Sequence, residues 1–76
     1  MDRSKVSEIV ERYTTPPHTL EELANELGVT RQAVQLWRSQ QININRRRME
    51  FIVTVKPPES RGYQFAQEIL TATNGT

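Results

Sequence analysis

Thr30, Arg31, Gln32, Gln35 and Ser39 are hydrogen-bonding side chains close together in the chain, and they cluster at the start and along one side of a helix if residues 30–39 are helical. Arginine can donate two hydrogen bonds to guanine O6 and N7, and glutamine can pair with adenine N6 and N7. The set therefore suits the reading of base edges, with Leu36 placed to meet a thymine methyl. A second set is cationic: Arg38, Arg46, Arg47, Arg48, Lys56 and Arg61. Charges of that kind neutralise phosphates without reading sequence. Catalysis has little to work with. The single histidine, His18, stands in a proline-flanked loop, cysteine is absent, and Glu21 and Glu22 fall in a first helical turn, where the helix dipole favours negative charge. No glycine-rich phosphate loop is present. The sequence thus predicts no catalytic residue, metal, cofactor or small-molecule effector.

Three helices must position these groups. Val6, Ile9, Val10 and Tyr13 recur at i, i+3, i+4 and i+7, which predicts an amphipathic helix over Arg3 to Tyr13, ended by Thr14-Thr15-Pro16-Pro17. Thr19 and Glu22 form a T-x-x-E capping box for a second helix, whose buried stripe is Leu20, Leu23, Ala24 and Leu27. Gly28 stops that helix by accepting a positive φ, and Thr30 caps a third reaching about Ser39, with Val34 and Trp37 turned inward.

Beyond Gln40 the pattern changes. Met49, Phe51, Val53 and Val55 alternate with Glu50, Ile52, Thr54 and Lys56, a period of two that predicts a half-buried strand. Pro57 to Gly62 is a turn, and Tyr63 and Phe65 resume the alternation as a returning strand. The expected fold class is α+β, three helices followed by a β-hairpin. The alternative is all-α, with a fourth helix through Ile44, Arg48, Phe51, Ile52 and Val55 and a fifth over Tyr63 to Leu70.

The stretch Leu20 to Ser39 resembles the helix-turn-helix of bacterial and phage repressors. It carries the small Ala24, the turn glycine Gly28, and apolar Leu23, Leu27, Val29, Val34 and Trp37 at the places where that motif locks its second helix against its first. The order of helix, H-T-L-E-E-L, G-V-T-R-Q-A-V, strand and R-G-Y is similar to the winged DNA-binding domain of the bacterial biotin ligase repressor. A competing resemblance is to lambdoid Cro proteins or excisionase-like regulators. The winged resemblance implies that Lys56 and Arg61 flank a wing tip near phosphates, with Tyr63 and Phe65 packing inward, although Pro57-Pro58 departs from the usual glycine-rich tip.

Charge placement fits a polyanion partner. Residues 1–29 hold three cations against six carboxylates, and residues 30–76 hold seven against three. The chain has 76 residues, room for one small core, predicted as a single domain over 1–70 with a flexible tail over 71–76. No apolar run approaches the ~18 residues of a membrane span and no signal-peptide pattern opens the chain, so a cytoplasmic, nucleoid-associated address is expected. These observations predict a sequence-specific transcription regulator that binds double-stranded DNA as a homodimer or cooperative assembly, touching no membrane. The alternatives are an architectural, terminase or replication accessory factor, or a protein-interaction module. Ile52, Ile69 and Leu70 are candidate apolar contacts for self-association.

Overall fold

The computed structural model describes residues 3–73, and among them the chain is all helix: α1 (Arg3–Tyr13), α2 (Leu20–Leu27), α3 (Arg31–Arg38), α4 (Arg46–Val55) and α5 (Arg61–Thr73). The apolar stripe of α1 is buried as its spacing requires, with Val6, Ile9, Val10 and Tyr13 all inside. Thr14 and Thr15 end the helix by donating their hydroxyls back to the carbonyls of Val10 (2.9 Å) and Glu11 (2.7 Å).

Helix α2 begins at Thr19, whose Oγ1 accepts the Glu22 amide at 3.1 Å. Only this half of the expected capping box forms, because the Glu22 carboxylate turns instead to His18 Nδ1 (2.8 Å) and Arg61 Nε (3.4 Å). At the other end Gly28 has φ 71°, and the Val29 amide reaches back to the Ala24 carbonyl at 3.0 Å. That six-to-one bond closes a left-handed helix stop. Thr30 then accepts the Ala33 amide at 3.1 Å and starts α3, so a three-residue turn joins two capped helices.

The predicted β-hairpin is not present: no strand forms among the described residues, and α4 and α5 replace it. The all-α alternative describes the chain, and neither a wing nor a Cro-like pairing strand exists there. The physical reason lies in Ile52. A strand would turn Ile52 outward with Glu50 and Thr54, whereas the helix buries Met49 and Ile52, three residues apart, and leaves Phe51 and Val55 outside. Asn45 nucleates this helix by accepting the amides of Arg47 (2.9 Å) and Arg48 (3.4 Å) through its side chain. Helix α5 starts in the same manner, with Ser60 Oγ accepting the Tyr63 amide at 3.1 Å, and it runs through Thr73, so residues 71–73 of the expected tail form its last turn.

Phe65, fully buried in α5, is the hub of the core. Tyr13 of α1 meets its ring edge-on at 5.4 Å between centroids, and Trp37 of α3 lies nearly parallel to it at 6.3 Å. Aromatic pairs of this geometry add about 1 kcal/mol beyond burial. One residue therefore ties the first, third and fifth helices together, and fixes where the outer side of α3 points. Ile69, likewise fully buried, extends the core along α5, and Leu70 packs against it.

Candidate nucleic-acid interface

Helix α3 is amphipathic in a simple way. Val34 and Trp37 are buried, Ala33 and Leu36 are half-buried, and Arg31, Gln32, Gln35 and Arg38 are exposed. Among the described residues, Arg31, Gln32, Gln35 and Arg38 have side chains with no hydrogen bond or ion pair. Their donors are therefore available to an incoming ligand. Thr30 and Ser39 are exposed but engaged at the two ends of the helix. Thr30 supplies the cap, while Ser39 Oγ donates to the Leu36 carbonyl (3.3 Å) and accepts from Gln41 Nε2 (3.1 Å). Of the five candidate base-reading residues, three have uncommitted side chains and two help hold the helix.

The cationic candidates divide into a set exposed around α3 and the start of α4 and a set paired within the fold. Arg48 lines an open groove of about 610 Å³ together with Thr30, Ala33, Asn43 and Asn45, which brings it beside the start of α3. Arg47 is its exposed neighbour in the first turn of α4, and Arg38 is exposed in the last turn of α3. Cations are disfavoured at a helix N-terminus, so Arg47 and Arg48 are placed against the local field of α4. That placement favours an external anion.

The remaining three cations are held by the fold. Arg46 donates Nη1 to the Leu70 carbonyl at 3.3 Å and to Thr73 Oγ1, which satisfies acceptors at the C-terminal end of α5. Arg61 donates to the Tyr13 carbonyl at 2.8 Å, lies 4.8 Å over the Tyr13 ring and pairs with Glu22. Lys56 Nζ stands 3.9 Å from Glu26. With no wing tip, Lys56 and Arg61 instead clasp α2 to the turn before α5. Tyr63, expected in the core, is half-buried beside a groove between α1 and α5.

Sequence reasoning missed Asn45 and Asn43, which border the groove beside α3. The signal for Asn45 was present, since asparagine directly before a helical run is an N-cap. Between α1 and α5, Tyr13 donates to Glu68 at 2.5 Å and Arg12 Nη2 pairs with the same carboxylate at 2.5 Å. Burial and this hydrogen bond push the Tyr13 hydroxyl up to about 12. Burial alone would raise Glu68, but the hydrogen bonds from Tyr13 and Arg12, with the charge of Arg12, hold it below the usual carboxylate range.

Among the described residues no cluster of three or more metal-ligating side chains occurs, and no helix is long and apolar enough to cross a membrane. Comparison with protein-family models, with characterised proteins and with solved structures finds no match to this chain.

Proposed function

We infer that this chain is a helix-turn-helix module that binds double-stranded DNA by laying α3 in the major groove, and that it acts as an accessory or architectural subunit of a larger assembly. The observation that carries the reading is the row of uncommitted donors, Arg31, Gln32 and Gln35, on the exposed side of a helix whose start is fixed by the Gly28 turn and the Thr30 cap. The major groove of B-DNA accepts an α-helix, and these side chains match base-edge patterns there. Arg38, Arg47 and Arg48 supply phosphate contacts around that face.

An assembly is favoured over a stand-alone repressor by the cation inventory. Arg46, Lys56 and Arg61 pair within the fold, and no wing adds a second DNA contact. Half of the electrostatic grip expected of a solitary regulator is thereby withdrawn, and a partner or second copy makes up the affinity. Transcription regulation follows if the bound site overlaps a promoter.

Selection on random duplex DNA tests the reading, with the parent chain and the Arg31→Ala and Gln35→Ala variants at two salt concentrations. An enriched motif that both substitutions weaken is the expected outcome, because a good bidentate pair gives about 1–3 kcal/mol of discrimination. Binding without enrichment that disappears at moderate salt would remove the sequence-reading role and leave a protein-interaction module.

A further inference from the structure

Among the described residues three large apolar side chains stand open to solvent, Ile42, Phe51 and Val55, and the last two lie on α4 with relative exposures of 59% and 54%. Phe51 and Val55 are one turn apart on the side away from the buried Met49 and Ile52, and Arg47 precedes Phe51 by one more turn. The outer face of α4 therefore reads Arg47, Phe51, Val55 along one row, with Arg48 and Thr54 at its flanks.

Charge is polarised along that row. Arg47 and Arg48 occupy the first turn, at the positive end of the helix dipole, while the last turn carries no cation. Lys56 just beyond is turned to Glu26, and exposed Glu59 follows in the turn before α5. A face with cations at one end, apolar side chains in the middle and negative charge at the other is complementary to itself when two copies lie antiparallel. Each pair of arginines then comes beside the negative end of the opposite helix and its Glu59, and the Phe51 rings meet near the two-fold axis. Parallel pairing would instead bring four arginines together.

We propose that the outer face of α4 is a homodimer contact, isologous and antiparallel, centred on Phe51. Covering Phe51 and Val55 in both copies removes on the order of 400 Å² of apolar side-chain surface. A standard stable interface buries ~1,600 Å², so this contact alone makes a weak dimer, with a dissociation constant of roughly 10⁻³ to 10⁻⁵ M. The contact shares Arg47 and Arg48 with the phosphate set, but its apolar centre lies off α3 and its test uses no DNA, so either reading can fail without the other.

Sedimentation of the full chain over a concentration series is the first measurement, with Phe51→Glu as the variant. A concentration-dependent dimer is expected in the parent and a monomer in Phe51→Glu, with helicity and melting midpoint matching at concentrations where both are monomeric, because Phe51 is exposed. The chain contains no cysteine, so orientation can be read by single substitutions. In an equimolar mixture of Arg47→Cys and Val55→Cys, with Phe51 intact, the mixed disulfide is expected to form in preference to either homodimeric one, because the antiparallel contact sets position 47 of one copy against position 55 of the other. A monomer at every concentration overturns the proposal, as does a dimer that survives Phe51→Glu. Homodimeric disulfides of Arg47→Cys that form as readily as the mixed disulfide overturn the antiparallel arrangement.

Discussion

Tyr13, Arg12 and Glu68 join the start and end of the chain through one carboxylate, and their titration makes the joint sensitive to pH from both sides. The Tyr13 hydroxyl is raised from 10.0 to about 12 in the folded chain, with burial the leading cause. An acid with a raised folded-state pKa gives stability that is complete below pH 10 and is lost as pH climbs from 10 to about 12. Glu68 is lowered, so its share is present above the unfolded carboxylate range and disappears as pH falls through its folded value. Urea midpoints measured between pH 8 and 12 are expected to fall steeply for the parent. In Tyr13→Phe they start lower, since the Glu68 hydrogen bond is gone, and the alkaline drop flattens. An equally steep drop in Tyr13→Phe would show that another group governs alkaline unfolding. Gln40 offers a separate case at this scale. It ends α3 at φ 64°, while the Gln41 amide bonds the Leu36 carbonyl at 2.9 Å. Glycine adopts that left-handed conformation without the Cβ penalty, so Gln40→Gly is expected to raise stability by about 0.5–1 kcal/mol in denaturant titration.

Between elements, α5 comes close to α2 at Gly62. A Cβ built on Gly62 would lie 2.8 Å from Glu26 Cγ and 3.3 Å from the Glu26 carbonyl oxygen, and the Gly62 amide donates to Glu26 Oε1 at 3.4 Å. The carboxylate thus caps the positive end of α5 at the point where only hydrogen fits. Gly62→Ala gains up to ~1 kcal/mol of helix propensity but must push α2 and α5 apart, and a net loss of about 1 kcal/mol is expected from thermal unfolding. A neutral result would mean that Glu26 shifts without resistance. This contact also explains what the amino-acid sequence conveys and what it does not. The α1 stripe, the Thr19 and Thr30 caps, the Gly28 turn and the inward Val34 and Trp37 are all set by short-range spacing, and each is legible. From Met49 to Val55, five apolar residues crowd into seven positions, so a period of two and a period near 3.6 both find support. Only long-range packing decides: Met49 and Ile52 must turn inward together and Gly62 must meet Glu26, contacts between residues far apart in the chain. Phe65 points inward as the sequence predicts, though from a helix rather than a strand, while Ile52 and Ile69 are buried and the exposed apolar side chains are Ile42, Phe51 and Val55.

For the molecule as a whole, the division of its cations into bound and unbound sets leads to a salt-dependence test. If α3 docks on DNA, Arg38, Arg47 and Arg48 are the phosphate contacts, and each neutralised phosphate contributes about −0.9 to the slope of log K against log salt. Three contacts give a slope of about −3 per copy, well short of the roughly −5 that all six candidates would give. Arg47→Ala and Arg48→Ala should each shallow the slope by about 0.9 and weaken binding to every duplex alike, with little change in stability because both are exposed. Arg46→Ala should behave in the opposite way. Its side chain bonds the Leu70 carbonyl and Thr73 at the end of α5, so its loss costs on the order of 1–2 kcal/mol of folding stability while the slope stays where it was. Fluorescence anisotropy on a fixed duplex at several salt concentrations, paired with melting curves of the same variants, separates the two effects. A slope reduced by Arg46→Ala but unmoved by Arg47→Ala and Arg48→Ala would mean that DNA approaches along α5 instead, and the docking of α3 would have to be abandoned.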